Sequence, residues 1–456
     1  MIGRLTDSSQ VHLVGVGGAG MSGIARILLQ RGITVSGSDL REGSALDELR
    51  VLGGRIEVGH DAANLGTADL VVISTAVPMD NPEVVAAHER GVPVWRRAEM
   101  LAQLMADERA ILVAGTHGKT TTTSMAVVAM QAAGGDPSFA IGGSLNESGT
   151  NAHAGSDRVF VAEADESDRS FLVYRPDIAL VTNLEHDHPD EFEDGEAVRQ
   201  AFLGFLEKRA LGAPVVLCLD DPGTAGLVDI VDGPVVTYGT DPRADVRVLT
   251  DDDGTHRVRI AGEDVASFRL GVPGWHNVLN ATGALAICHL LGLDLATAAG
   301  GLAAFSGAAR RFQRLGVARG VRVIDDYAHH PTELRATLAA ARSIHPGRIV
   351  LVVQPHRYSR TQIFGAELGR AAAVADLVVV TDVYGSAEAP VPGVTGALVA
   401  DAARAAGANV RYEPHLGDVV HTLQDLVAEG DLVLTTGAGD VTQVGPSLLQ
   451  ALQAGT

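Results

Sequence analysis

At 456 residues the chain is too long for one hydrophobic core, and two to four domains are expected. A formal net charge of −21 argues against nucleic acid as a partner, and 46% hydrophobic with 20% charged residues describes packed globular domains rather than a disordered chain. Two cysteines, Cys218 and Cys288, are too few for a disulfide framework or a zinc site; MIGRLTDSSQ lacks a signal-peptide core and no apolar run approaches the ~20 residues that span a bilayer, so a cytoplasmic protein with no membrane partner is expected.

Residues 11–16, VHLVGV, read as a strand, followed by Gly15, Gly17, Gly18 and Gly20 and a helix from Met21 to about Gln30. A second strand ends at Asp39. This is the G-x-G-x-x-G pattern with an acid at the end of the second strand, which aims a helix N-terminus at a diphosphate. An NAD enzyme and a UDP-sugar binder both satisfy it. An alternating β/α pattern continues through DLVVI (69–73), a helix over 81–90 and a short strand near 92–94. Arg96 and Arg97 fit either a solvated helix start or a substrate-phosphate contact.

The most informative stretch is Ala110 to Thr123, AILVAGTHGKTTTT. The run 111–113 predicts a buried strand, and Gly118-Lys119-Thr120 opens an Ala-rich helix. Strand, glycine turn, lysine, hydroxyl and helix form a phosphate loop: Lys119 would meet the β and γ phosphates and Thr120 a Mg²⁺ ion. The usual spacing wants glycine at 113, where Val113 stands. Downstream, RVFVAE (158–163) runs into four carboxylates from Glu163 to Asp168, where such folds complete a metal site. IALVT (178–182) runs into Glu185, His186, Asp187 and His188. Three short alternating pieces over 244–270 suggest a small antiparallel insert. His276 and Asn280 share a face of the next helix and suit either a nucleoside contact or a loop cap. In the last third, three strands lead to Asp325–Glu333, Gln354–Arg360 and Asp382–Glu388, and a fourth to Gly437–Asp440. Each delivers polar residues at its C-terminal end, where open α/β sheets bind ligands.

The 53 glycines and 4% aromatic content also suit an α/β protein with many tight turns. Three units with three loaded edges suit carboxylate activation: a phosphoryl group passes from ATP to a carboxylate, and an amine then attacks the acyl phosphate.

The ordered set GVGGAGMSGIA (15–25), GTHGKTTT (115–122), EADESD (163–168), HNVLN (276–280), DDYAHHPTE (325–333), HRYSRT (356–361) and GAGD (437–440) resembles the Mur ligases from end to end. The Met-Ser-Gly-Ile-Ala continuation resembles the alanine-adding member. The resemblance implies an α/β fold of three domains: a Rossmann-like UDP-sugar-binding domain (1–107), a central ATP-binding domain with a mostly parallel sheet (108–313) and a Rossmann-like C-terminal domain (314–456). It implies ATP and Mg²⁺, with UDP-N-acetylmuramate and L-alanine as small-molecule substrates, in peptidoglycan precursor synthesis. Residue by residue, Gly15, Gly17, Gly18, Gly20 and Asp39 would hold the UDP-sugar. Gly115, Thr116, His117, Gly118, Lys119, Thr120 and Thr121 would cradle ATP, with Thr120 and Glu163 on one Mg²⁺ and His188 on a second. His276, Asn277 and Asn280 would meet adenosine, and Arg311 and Asp326 the nucleotide phosphate and ribose. Tyr327, His329, Arg357 and Arg360 would line the alanine and reaction site. Sister ligases carry a carbamylated lysine after the metal histidine. The span 189–207 contains no lysine and Lys208 is distant, so Arg199 or water is expected in its place. Ala328 replaces the glycine of D-D-Y-G-H-H, which is tolerable unless the position needs positive φ. A dehydrogenase or a non-catalytic nucleotide sensor would leave the phosphate loop and the third unit, or the intact Lys119–Glu163–His188 set, unexplained.

Overall fold

The computed structural model describes residues 9–146, 148–386 and 388–454. The leader-free reading of the N-terminus concerns positions 1–8, which lie outside the described residues, as does Ala387. Three sheets organise the chain.

The first contains β1 (Gln10–Val14), β2 (Thr34–Asp39), β3 (Arg55–Val58), β4 (Leu70–Ile73) and β5 (Val94–Arg96) in the order β3-β2-β1-β4-β5, with every pair parallel. The expected strand near 92–94 lies slightly later, and a helix, Arg97–Met105, starts directly after it. β3 carries a single buried residue, Ile56, so its short alternation gives little apolar signal.

The second sheet holds β6 (Arg109–Ala114), β7 (Ser138–Ala140), β8 (Ala152–His153), β9 (Val159–Glu163), β10 (Ile178–Val181), β11 (Val215–Cys218), β12 (Val235–Gly239), β13 (Val246–Thr250), β14 (His256–Ile260) and β15 (Glu263–Phe268). Their order is β15-β14-β13-β12-β11-β10-β6-β9-β7-β8. β10 and β9 lie on opposite sides of β6, so the chain reverses direction across the sheet there. Such a switch point opens a crevice beyond the strand C-termini, and the phosphate loop leaves β6 into it. The alternating pieces at 244–270 pair antiparallel as expected, but β13 also pairs parallel with β12. They extend the main sheet rather than standing apart.

The third sheet orders β16 (Gln313–Ala318), β17 (Val321–Asp326), β18 (Ile349–Val353), β19 (Leu377–Val380), β20 (Val410–Tyr412) and β21 (Leu432–Thr436) as β16-β17-β21-β18-β19-β20, with only β16 antiparallel to its neighbour. β18 and β19 are buried along their whole length, which is why IVLVV and LVVV read as continuous apolar runs.

Apolar packing joins these units unequally. Helices Ala19–Gln30 and Arg97–Met105 of the first unit share one apolar cluster with Leu112, Phe160 and Phe202 of the second. Asn151 Nδ2 donates to Ala19 O at 2.6 Å, and Ala154 N to Gln30 Oε1 at 2.8 Å. The third sheet fills its two faces with clusters of its own, which include no residue of the central sheet. Its links to the central unit include the linker 307–312, polar contacts, and a ring contact between Phe364 and His186. That linker holds two non-glycine residues in the left-handed region, Arg310 (φ 60) and Phe312 (φ 51), a costly conformation kept by the surroundings. Phe312 N is fixed by Asp326 Oδ2 at 2.7 Å, and Arg310 O by Tyr327 N at 2.8 Å. Ala328 is absent from the positive-φ residues, so alanine stands there without strain. Cys218 and Cys288 are buried free thiols. Among the described residues no helix is long and apolar enough to cross a membrane.

Candidate active site

The phosphate loop is shaped by two glycines. Gly115 has φ +134, and a Cβ there would lie 1.9 Å from Thr182 Oγ1; Gly118 has φ +82 and would press on Asn280 Oδ1 at 2.9 Å. At Gly115 both the backbone conformation and the space exclude a side chain, whereas at Gly118 the positive φ is the main constraint, since the Asn280 side chain can move. Val113, where a glycine was wanted, is buried inside β6, so the loop begins only at Gly115. Helix Lys119–Ala132 then starts with its N-terminus in the crevice.

Lys119 Nζ donates to Gly115 O at 2.8 Å and to Glu166 Oε1 and Oε2 at 2.9 and 2.7 Å. Burial works against the ammonium, but Glu166 and Asp165 raise its pKa overall. Burial lifts Glu166 to about 7 despite Lys119. Glu166 belongs to the EADESD run, yet sequence reasoning gave it no role. Thr120 Oγ1 donates to Glu163 Oε2 at 3.1 Å, and Gly142 N to Glu163 Oε1 at 2.7 Å. Burial raises the Glu163 pKa, with the Gly142 amide and Lys119 opposing. Hydroxyl and carboxylate oxygens are the donor set a Mg²⁺ ion takes, so Thr120 and Glu163 fit that ion. His188 stands apart from them, with Nε2 3.8 Å from both Glu166 Oε1 and Asp187 Oδ2. Burial, with Arg360 and Lys119 nearby, lowers it to about 4, which leaves a neutral imidazole fit to ligate.

The third unit reaches this edge through two arginines. Arg360 Nε donates to Asp187 Oδ1 at 2.8 Å, and its other nitrogens approach His356 Nδ1 (3.1 Å) and His188 Nδ1 (3.4 Å). Arg357 donates to Asp190. Both were expected to line a substrate pocket. They do line the cavity, but their guanidinium groups are engaged with central-unit carboxylates and bridge the two units. His329 Nδ1 lies 3.0 Å from Tyr327 O, and burial lowers this imidazole to about 4. The guanidiniums of Arg310 and Arg311 each lie 4.9 Å from the centroid of the Tyr327 ring.

These groups surround a cavity of about 690 Å³ to which all three units contribute: Ala19 from the first, Lys119, Thr120, Glu163 and His188 from the second, and Tyr327, His329, Arg357 and Arg360 from the third. An adjoining cavity of about 270 Å³ is lined by Gly118, Thr121, His276, Asn277, Asn280, Arg311 and Asp326, with Tyr238, Val272 and Phe305 among its walls. His117 and Arg311 line both. Burial lowers His276 to about 4. Asp326 accepts from Ala328 N, Thr337 Oγ1 and Phe312 N, so much of its hydrogen-bonding capacity goes to holding its own unit together.

The glycine turn of the first unit opens instead on a smaller cavity of about 210 Å³, lined by Gly17, Ala19 and Arg26 and by Ser144 and Asn151 of the central unit. Asp39 Oδ2 accepts from Gly17 N at 2.9 Å, so this acid braces the turn. Arg97 lies over the first turn of helix Ala19–Gln30, its guanidinium close to Gly20. Arg199 pairs with Glu196 on its own helix and lines none of these cavities, and neither does Lys208, so of the expected occupants, Arg199 or water, the arginine is placed elsewhere.

His117, Glu185 and His330 bring one ligand atom each within 4.8 Å of one another. Burial depresses the His117 pKa, but Glu185 and Glu333 outweigh it and raise it to about 9. A proton therefore holds that position at neutral pH, which disfavours a metal there.

Comparison with known proteins accounts for this arrangement over its whole length. Models described as the Mur ligase family catalytic domain, the Mur ligase middle domain and the Mur ligase glutamate ligase domain match residues 10–109, 113–288 and 310–439. The chain is 49% identical to the UDP-N-acetylmuramate–L-alanine ligase of Mycobacterium sp. (strain JLS), over 98% of this chain and 95% of that protein. It is 51% identical to the ligase of the same name from Saccharopolyspora erythraea, over 97% and 93%. The crystal structure of the UDP-N-acetylmuramate–alanine ligase of Thermotoga maritima superposes with a TM-score of 0.81 at 30% identity, covering 98% of this chain and 100% of that one. A murein peptide ligase of Psychrobacter arcticus gives 0.74 at 25% identity, covering 98% and 99%. With three consecutive family models and near-complete coverage of its relatives, the chain belongs to the Mur ligase family.

Proposed function

We propose that the protein joins L-alanine to the carboxylate of UDP-N-acetylmuramate at the expense of ATP, giving ADP and phosphate, in the cytoplasmic synthesis of peptidoglycan precursors. The observation that carries this reading is the cavity built from all three units, where a phosphate-loop lysine, a hydroxyl–carboxylate pair and a neutral imidazole face one another. The names of the relatives at 49 and 51% identity point to the same reaction. The corresponding division is 1–107 for the UDP-sugar, 108–313 for ATP and 314–456 for the amino acid, in keeping with the separate sheets.

A carboxylate oxygen of the UDP-linked acid attacks the γ-phosphorus of ATP in line, and ADP leaves. The amine of alanine attacks the resulting acyl carbon, and phosphate leaves with the oxygen it gained. Lys119 and the amides at the start of helix Lys119–Ala132 oppose the charge on the transferring group. Bound Mg²⁺ supplies further charge neutralisation, with Thr120 and Glu163 holding one ion and His188 a second. His329, neutral at pH 7, lines the same cavity and can take the proton the amine loses. His276, Asn277 and Asn280, with Arg311 and Asp326, line the adjoining cavity for the nucleoside. Gly15, Gly17, Gly18 and Gly20 form the turn offered to the UDP diphosphate, with Asp39 holding it.

The test is phosphate release with ATP, Mg²⁺, UDP-N-acetylmuramate and a panel of amino acids. Release is expected only with both substrates, and most rapidly with L-alanine. Release that ignores the amino acid would overturn the assignment.

A further inference from the structure

The tip of the phosphate loop is tied to the third unit by a set of contacts the proposed chemistry does not use. His117 sits between the two glycines that shape the loop. Its amide donates to Asn183 Oδ1 at 2.8 Å, and its carbonyl accepts from Thr182 Oγ1 at 2.6 Å and Asn183 Nδ2 at 2.9 Å. These backbone bonds anchor the loop tip to the end of β10, and the side chain is left to carry any contact with the third unit. The side chain turns toward the third unit: Nδ1 lies 3.3 Å from Glu333 Oε1, and Nε2 3.0 Å from Glu185 Oε2.

Both carboxylates are themselves placed by the third unit. Glu333 Oε2 accepts from the amides of His329 and His330 at 3.1 and 3.2 Å, at the start of helix Pro331–Ile344. Thr332 Oγ1 donates to Glu185 Oε1 at 2.8 Å. The His330 ring lies 4.8 Å from that of His117, centroid to centroid. The third unit shares no apolar cluster with the central sheet, so polar bridges of this kind carry much of its docking, beside the packing of Phe364 against the His186 ring.

We infer that His117 is a positioning residue that makes the shape of the phosphate loop depend on the seating of the third unit, through its bridge to Glu333 and to the Thr332-bound Glu185. The loop adopts its working path when helix Pro331–Ile344 is docked. Phosphoryl transfer is thereby coupled to closure of the unit that carries His329 and the two arginines. This rests on the ligase reading for its consequence in turnover, but not for the coupling itself.

The test uses the full-length enzyme and the variants His117→Gln, Glu333→Gln and the double variant. Hydrogen exchange of amides 332–334 reads docking without turnover. Each single variant should quicken it at least tenfold, and the double variant no further than the worse single. In turnover, His117→Gln should lower kcat at least tenfold while the Kd for MgADP changes less than threefold. A merely structural fault in the loop would move the two together. If Glu333→Gln does not fold, Glu185→Gln replaces it in the cycle. A kcat within twofold of wild type, a Kd that rises as far as kcat falls, or exchange effects that multiply in the double variant would each overturn the proposal. A wild type that shows the exchange coupling but releases no phosphate would instead overturn the functional reading.

Discussion

Arg360→Met gives the sharpest view of how the third unit is held. Arg360 and Asp187 are 4% and 3% exposed at their side chains and meet at 2.8 Å, 173 residues apart in sequence. Burial alone would push the Asp187 carboxyl up, but Arg360 and the surrounding histidines hold it well below the usual range. Methionine fills a similar volume and removes the charge. The docked state then contains an uncompensated buried carboxylate, at a cost of about 3–5 kcal/mol. At about 1.4 kcal/mol per factor of ten, the docked state is disfavoured roughly 100- to 4,000-fold. Opening releases Asp187 to water, so the loss appears as undocking rather than global unfolding. Hydrogen exchange across 185–192 and 356–362 reads it directly, since exchange of protected amides follows the opening equilibrium. Asp187→Asn added to Arg360→Met removes the stranded charge and should recover most of the protection. Exchange within threefold of wild type in the single variant, or a double variant that opens as readily, would refute the reasoning.

Further predictions concern the loop and its charges. Gly115→Ala forces a Cβ to 1.9 Å from Thr182 Oγ1 at a φ of +134 and should abolish turnover and lower the melting temperature. Gly118→Ala, at 2.9 Å from the end of the Asn280 side chain, should be milder in both respects; a Gly118 variant worse than the Gly115 variant would contradict this ordering. Lys119→Ala should lose activity and strand the buried Glu166, so Lys119→Ala with Glu166→Gln should melt higher than Lys119→Ala while remaining inactive. His117, at about 9 in the folded protein and near 6.5 unfolded, contributes its coupling fully below pH 6.5 and loses it as pH rises through 9. Its facing groups are Glu185, Glu333, Asp187 and His330. The stabilisation is about 3 kcal/mol as an upper bound, since Glu185 is partly solvated. The alkaline limb of the kcat profile near pH 9 should vanish in His117→Gln, and its persistence would assign that limb to another group.

Much of this was legible from local sequence. Continuous apolar runs in buried parallel strands identified β6, β10, β18, β19 and β21. The strand C-termini then pointed to the cavity edge. The short strands β7, β8 and β20, near the sheet margins, have two or three residues each and carry no usable period. β16 escaped because its residues are mostly part-exposed and alternate weakly. The site residues missed share a different cause. Glu166, Glu185, Asp187 and Glu333 matter through partners brought close only by folding, such as Lys119 and His117, or Arg360 from another unit. The same motifs announce Arg357 and Arg360 as cations near a substrate, whereas the fold shows them engaged with Asp190 and Asp187. Asp39, expected to hold the UDP-sugar, accepts from Gly17 N and braces the glycine turn.

The central claim is that a substrate carboxylate oxygen is phosphorylated in the cavity all three units share. UDP-N-acetylmuramate carrying ¹⁸O in its carboxylate tests it directly, with the released phosphate read by mass spectrometry. One ¹⁸O should be transferred to each phosphate formed in the presence of L-alanine. Phosphate free of ¹⁸O, with amide product still formed, would contradict it.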